Sequence, residues 1–176
     1  MTARVVDTNV ILVANKAHQD ASPECVLACV ELLYDIMENG CLVLDDQYRI
    51  LREYQRKTEP VKDKGVGDMF VKWALQNIKT PAKVRVIPLT ELEPEIFAEF
   101  PCKALEAVFD RQDRKFAAVS HAHADRPPIA QACDSKWLEW WPPLLLFGVR
   151  IIFVCREDIC RFYAAKNPGR PVPPLP

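Results

Sequence analysis

The chain has 176 residues, of which 49% are hydrophobic, and its 23 Lys and Arg against 24 Asp and Glu leave a net charge of −1. That length and apolar content fit one domain with a sizeable core. The near-zero charge excludes a protein that holds nucleic acid through an overall basic field, so a polynucleotide would have to be caught by local Lys/Arg clusters, metal ions or a partner.

A short apolar run, Arg4 to Val6, reads as the first strand and is followed by a tight Asp7-Thr8-Asn9 turn, whose short polar side chains can bond the backbone and orient the Asp7 carboxylate. Val26, Cys29, Val30, Leu33, Ile36 and Met37 recur at helical spacing, with Ser22 as a cap, Pro23 just inside and Asn39-Gly40 as a stop. Cys41 to Leu44 reads as a second strand, and helices are expected over roughly Asp46 to Lys57 and Lys62 to Ile78. Val84 to Leu89 is a third strand, and a helical region runs from Lys103 to Ala124 with a break near Asp110. Ile129 to Cys133 and Val149 to Cys155 complete five strands, and a last helix covers Glu157 to Ala165. The strands are short and apolar throughout, as parallel strands covered on both faces are.

Strands alternating with helices give an α/β, three-layer fold with a parallel sheet of about five short strands. One domain over residues 1–166 is expected, followed by a tail over 167–176; five of the last nine residues are proline, so the tail is expected to be extended and either mobile or docked on a neighbour. No internal repeat is visible. Leu138 to Val149 is strongly apolar but is broken by Glu139, Pro142 and Pro143 and is too short to span a bilayer. The seven cysteines are scattered and include no CxxC pair, so buried thiols in a reducing cytoplasm are expected rather than a zinc site, and no secretory signal is expected ahead of the first strand.

Four acids carry the chemistry: Asp7, Glu53, Asp113 and Asp134. Asp7 and Asp134 each stand just past a strand, at the sheet edge where ligands of open parallel sheets gather. Asp113 shares a helix face with Phe116, Ala117 and Ser120. A buried carboxylate there calls for a shared cation, whereas one in the first helical turn would simply complement the helix dipole; both readings stand. Glu53 lies about 60° from Ile50 around its helix, on the border of the apolar stripe, with Arg49 and Lys57 placed for a surface ion-pair ladder. Clustered carboxylates suit Mg²⁺ or Mn²⁺, which prefer hard oxygen ligands. Asp45 and Asp46 read as helix caps, with additional metal ligands as the other reading. His18, His121 and His123 have no ligand spacing, and Trp137, Trp140 and Trp141 read as packing residues with base stacking as the other reading.

These residues resemble the PIN domain family. Val5-Val6-Asp7-Thr8-Asn9-Val10 is similar to the family's opening strand and turn, Leu42-Val43-Leu44 with a helix bearing Glu53-Tyr54 to its second acidic position, Asp113 to Val119 to its third, and Cys133-Asp134-Ser135-Lys136-Trp137 to its fourth. The resemblance spans residues 4 to about 160. It implies a Rossmann-like PIN fold and a metal-dependent endoribonuclease in which Asp7, Glu53, Asp113 and Asp134 are catalytic and hold Mg²⁺ or Mn²⁺. Thr8, Asn9, Arg114 and Lys115 are then expected to contact the RNA. It further implies a toxin or defence effector with an antitoxin or other protein partner, a homodimer, and no membrane. Lys136 stands where many relatives carry a further acid, and Asp110 is placed to compensate. That departure keeps a second reading open: a weakened PIN-like domain that binds RNA or protein. A phosphatase of the haloacid dehalogenase type would want a second Asp at the position of Asn9.

Overall fold

The computed structural model describes residues 2–62 and 64–176. Five strands form one parallel sheet: β1 (Thr2–Val6), β2 (Gly40–Asp45), β3 (Val84–Ile87), and, after a small antiparallel pair β4 (Glu91–Glu93) and β5 (Ile96–Phe97), β6 (Ile129–Gln131) and β7 (Ile151–Phe153). The sheet order is β3-β2-β1-β6-β7. Arg4 lies opposite Leu42, Val5 opposite Ile129, and Ala130 opposite Ile152. Every residue of β2 is buried, which is why its sequence shows no alternation.

Among the described residues, eight α-helices flank this sheet in a three-layer α/β arrangement: α1 (Thr8–Ala14), α2 (Pro23–Asn39), α3 (Arg49–Lys57), α4 (Val66–Asn77), α5 (Lys103–Glu106), α6 (Arg114–Ala122), α7 (Trp137–Leu146) and α8 (Arg156–Lys166). Ser22 caps α2 by accepting from the Cys25 N–H at 3.1 Å. At Gly40, where α2 hands over to β2, a Cβ would come within 2.9 Å of the Ile36 Cα, so only glycine permits that close approach.

Two helices depart from the sequence reading. The Asp-Thr-Asn turn is the first turn of α1, whose Val10, Ile11, Val13 and Ala14 are all buried. The apolar run with two prolines is α7. Pro142 and Pro143 remove two helical donors, and burial of Trp137, Leu138, Trp140 and Leu144 holds the helix against that loss. Trp140 stacks on Phe109 at 3.9 Å between ring centroids and Trp137 meets the same ring edge-on, so both indoles are packing residues. The proline-rich tail docks on its own chain: Trp141 Nε1 donates to the Pro174 carbonyl at 3.0 Å and the Arg156 guanidinium to that of Pro176. No helix among the described residues is long and apolar enough to cross a membrane.

Candidate functional site

From β1 the strands proceed one way to β2 and β3 and the other way to β6 and β7. The reversal opens a crevice between β1 and β6 at the carboxyl ends of the strands, the place where open α/β sheets bind ligands. Asp7 directly follows β1 and is 5% exposed. Its N–H bonds the Ala130 carbonyl of β6 at 2.9 Å, and its Oδ1 accepts from the Asn9 N–H at 2.7 Å, capping α1. Asn9 ties the segment after β1 to the segment after β6, its Oδ1 accepting from the Cys133 N–H at 2.8 Å. Asp134 follows on the β6 side, where its N–H bonds Gln131 Oε1 at 3.3 Å and its Oδ1 accepts from the Lys136 N–H at 3.2 Å.

The other two acids arrive from helices. Asp113 ends a 3-10 turn (Arg111–Asp113) and stands at the N-cap position of α6, yet its carboxylate makes no capping bond. The dipole-complementing reading of Asp113 therefore accounts for its place on the helix but leaves its carboxylate unspent. Glu53 is tied to the first strand's turn, accepting from Thr8 Oγ1 at 2.7 Å through Oε1 and pairing with Lys115 Nζ at 2.7 Å through Oε2. The surface ladder from Arg49 to Lys57 is thus replaced by a half-buried ion pair. Tyr54, the next residue, donates its hydroxyl to the Val6 carbonyl and so pins α3 to the end of β1.

Asp7 lies within electrostatic reach of the other three acids, and Asp113 within reach of Asp134. Burial pushes the Asp7 carboxyl well above the usual carboxylate range, and Asp113, Asp134 and Glu53 raise it further against the opposing Asn9 hydrogen bond. Asp113 is pushed up to about 7, first by burial and then by Asp134 and Asp110, with Lys115 and Lys136 partly offsetting. Between the ordinary value of 3.8 and about 7 the folded Asp113 binds more protons than the unfolded chain does. Its contribution is therefore full below about pH 4 and is lost as pH rises through 7. In chelator-treated buffer Asp113→Asn should consequently be more stable than the parent at pH 8 by on the order of 2 kcal/mol. The difference should vanish toward pH 4, as followed by urea denaturation at each pH.

The basic residues divide. Arg114 is 6% exposed and spends its guanidinium on the carbonyls of Glu95, Glu106 and Phe109. Lys115 is 3% exposed and also donates to the Gln112 carbonyl. Sequence reasoning missed this burial, since two adjacent cations before Phe116 look like a solvated face. Beside Glu53, Arg49, Arg52, Arg56 and Lys115 line a cleft of about 720 Å³ together with Glu91 and Glu95. Lys136 pairs with Asp110 at 2.6 Å, so each neutralises the other. Asp45 accepts from the N–H groups of Arg49 and Ile50, as a cap does, whereas Asp46 accepts from the Leu89 N–H and ties a loop. His123 faces Arg85, and His121 bonds the Glu99 carbonyl, so both are engaged elsewhere.

Oxygen donors from Asp7, Asp113 and Asp134 suit a hard divalent cation. The raised proton affinities of Asp7 and Asp113 report uncompensated charge that such an ion would relieve. They are not tightly clustered: among the described residues, the trios with donor atoms within 4.8 Å of one another are Cys25/Cys29/Cys155 and Cys25/Cys133/Asp158. An ion that keeps several waters can bridge the wider carboxylate spacing. The expectation of buried thiols holds for Cys29, Cys41 and Cys133, but Cys25 and Cys155 are joined by a disulfide. The pairing escaped notice because 130 residues separate the two. No protein-family model matches the chain, and neither does any curated protein or solved structure.

Proposed function

We propose that this chain is a metal-dependent endoribonuclease whose Asp7, Asp113 and Asp134 hold Mg²⁺ or Mn²⁺. The observation that carries the reading is the meeting of Asp7 and Asp134 at the β1/β6 reversal with the uncapping carboxylate of Asp113 beside them. Bound there, the ion supplies an acidified water and counter-charge for a scissile phosphate. Asn9 holds the ends of β1 and β6 together, so the two strand-end carboxylates keep a fixed separation. Thr8 orients Glu53, and Lys115 keeps Glu53 compensated at the rim. Arg49 is paired with Asp45 and Glu91, so Arg52 and Arg56 give the adjoining cleft the positive charge that phosphates need, which the chain as a whole lacks. On this reading Arg114 and Lys115 position the 3-10 turn and Glu53, and Arg52 and Arg56 take over the RNA contacts expected of them.

A second reading is favoured by the lysines. With Glu53 paired to Lys115 and Asp110 to Lys136, two of the five carboxylates around the crevice are already neutralised, as in a domain that binds RNA without cutting it. Incubating the purified chain with single-stranded RNA and Mn²⁺, beside Asp7→Asn, separates the two. Decay with the parent alone supports the nuclease; retention of intact RNA by both supports the binding module; equal decay with both removes the enzyme reading.

A further inference from the structure

Four of the seven cysteines meet behind the acid crevice. Cys25 and Cys29 lie one turn apart on α2, Cys133 follows β6, and Cys155 separates β7 from α8; none is more than 4% exposed. The Cys25–Cys155 bridge uses two sulfurs. The other two face it from either side, Cys133 Sγ at 3.5 Å from Cys25 Sγ and Cys29 Sγ at 3.7 Å from Cys155 Sγ. A disulfide has no need of a further thiol at each of its sulfurs. A tetrahedral thiolate site does: with Zn–S bonds of about 2.3 Å its sulfurs stand about 3.8 Å apart, near those two spacings, and closing it would draw in Cys133, which lies beyond 4.8 Å from the Cys29 and Cys155 sulfurs.

We propose that, with the bridge reduced, Cys25, Cys29, Cys133 and Cys155 form a Zn²⁺ site. The two states exclude each other. A small dithiol delivers two electrons and two protons to the Cys25–Cys155 bond, becoming a disulfide itself and leaving two thiols. Binding of Zn²⁺ then releases four protons and leaves a site of net charge −2. Burial and the Asp158 carboxylate oppose ionisation of Cys133, and Arg161 and Lys166 partly offset them. Asp158, close to Cys25 and Cys133, is held by the Ser22 N–H at 2.7 Å and by Arg161 at 3.0 Å, so it buttresses the cluster from outside. Four thiolates select a soft ion over Mg²⁺ or Mn²⁺. Because Cys133 directly precedes Asp134, the ion would tie the end of β6 to α2 and α8.

The test reads metal and not RNA cleavage, so it stands whether or not the acids are catalytic. The full chain, reduced with excess dithiol and then freed of it under inert gas, should bind one Zn²⁺ at the thiolates, counted with excess Mg²⁺ present to fill the acid crevice, and, with Co²⁺, show tetrahedral d–d bands and sulfur-to-cobalt charge transfer. Cys29→Ser and Cys133→Ser should each weaken Zn²⁺ binding at least about 100-fold, while Cys102→Ser and Asp7→Asn should leave it unchanged. Should either serine variant fail to fold, thiol modification of the unsubstituted chain gives the same answer, as Zn²⁺ release should track loss of four protected thiols. A reduced chain that takes up no Zn²⁺, cobalt binding without the charge-transfer band, or loss of that band in Asp7→Asn would overturn the proposal.

Discussion

Asp7→Asn should lower Mn²⁺-dependent RNA cleavage by at least about 100-fold, since loss even of groups supporting a metal ligand costs up to that much. Asparagine keeps the Oδ1 that caps α1 by accepting from the Asn9 N–H, so the turn should survive and the loss should be chemical. The same substitution removes a buried negative charge crowded by Asp113, Asp134 and Glu53. Divalent-free stability at pH 8 should therefore hold or rise as activity falls. A residue of purely structural importance would lose both together. Single-turnover cleavage and urea denaturation on one preparation check the pair; retained cleavage, or lost stability, would contradict the assigned role.

The largest stability effect should come from Lys115→Met. Lys115 Nζ and Glu53 Oε2 are 2.7 Å apart with side chains 4% and 15% exposed, and removing one partner of such a pair leaves an uncompensated charge that costs roughly 3 kcal/mol. The cost should be high here because Glu53 already faces the negative field of Asp7. Two companion measurements identify its source. Glu53→Gln added to Lys115→Met should recover much of the loss. Mn²⁺ should stabilise Lys115→Met more than it stabilises the parent, because the freed Glu53 carboxylate can then face a cation. Equal stability of Lys115→Met and the parent in chelator would show that the ion pair contributes nothing.

Much of the sheet was legible because its strands announce themselves as short apolar runs: all five expected segments contain the observed strands or overlap them, as Cys41 to Leu44 lies within Gly40–Asp45. The strand order was not legible, since it depends on pairings such as Val5 with Ile129 that no local pattern encodes. That order is what brings Asp7 and Asp134 to one crevice, so the site could be listed from sequence but not assembled. Helix α1 was hidden because Asp7-Thr8-Asn9 carries the same polar signature in a turn and in an N-cap, and the buried Val10 to Ala14 stretch decides between them. Helix α7 was hidden by Pro142 and Pro143, whose local cost is outweighed by burial of the Trp137 and Leu138 side chains. Arg114 misled for a different reason: its stem and guanidinium are buried against carbonyls of residues 95, 106 and 109, which become neighbours only after folding. The cysteine cluster is of the same kind, its members drawn from α2, the end of β6 and the β7/α8 junction.

The central claim is that Asp7, Asp113 and Asp134 share a divalent cation. Anomalous difference density from a crystal of the full chain soaked in Mn²⁺ tests it most directly. The account predicts a peak in the crevice between β1 and β6, contacted by oxygens of all three carboxylates directly or through waters. No peak there at saturating Mn²⁺, or the three carboxylates facing separate surfaces, would contradict it.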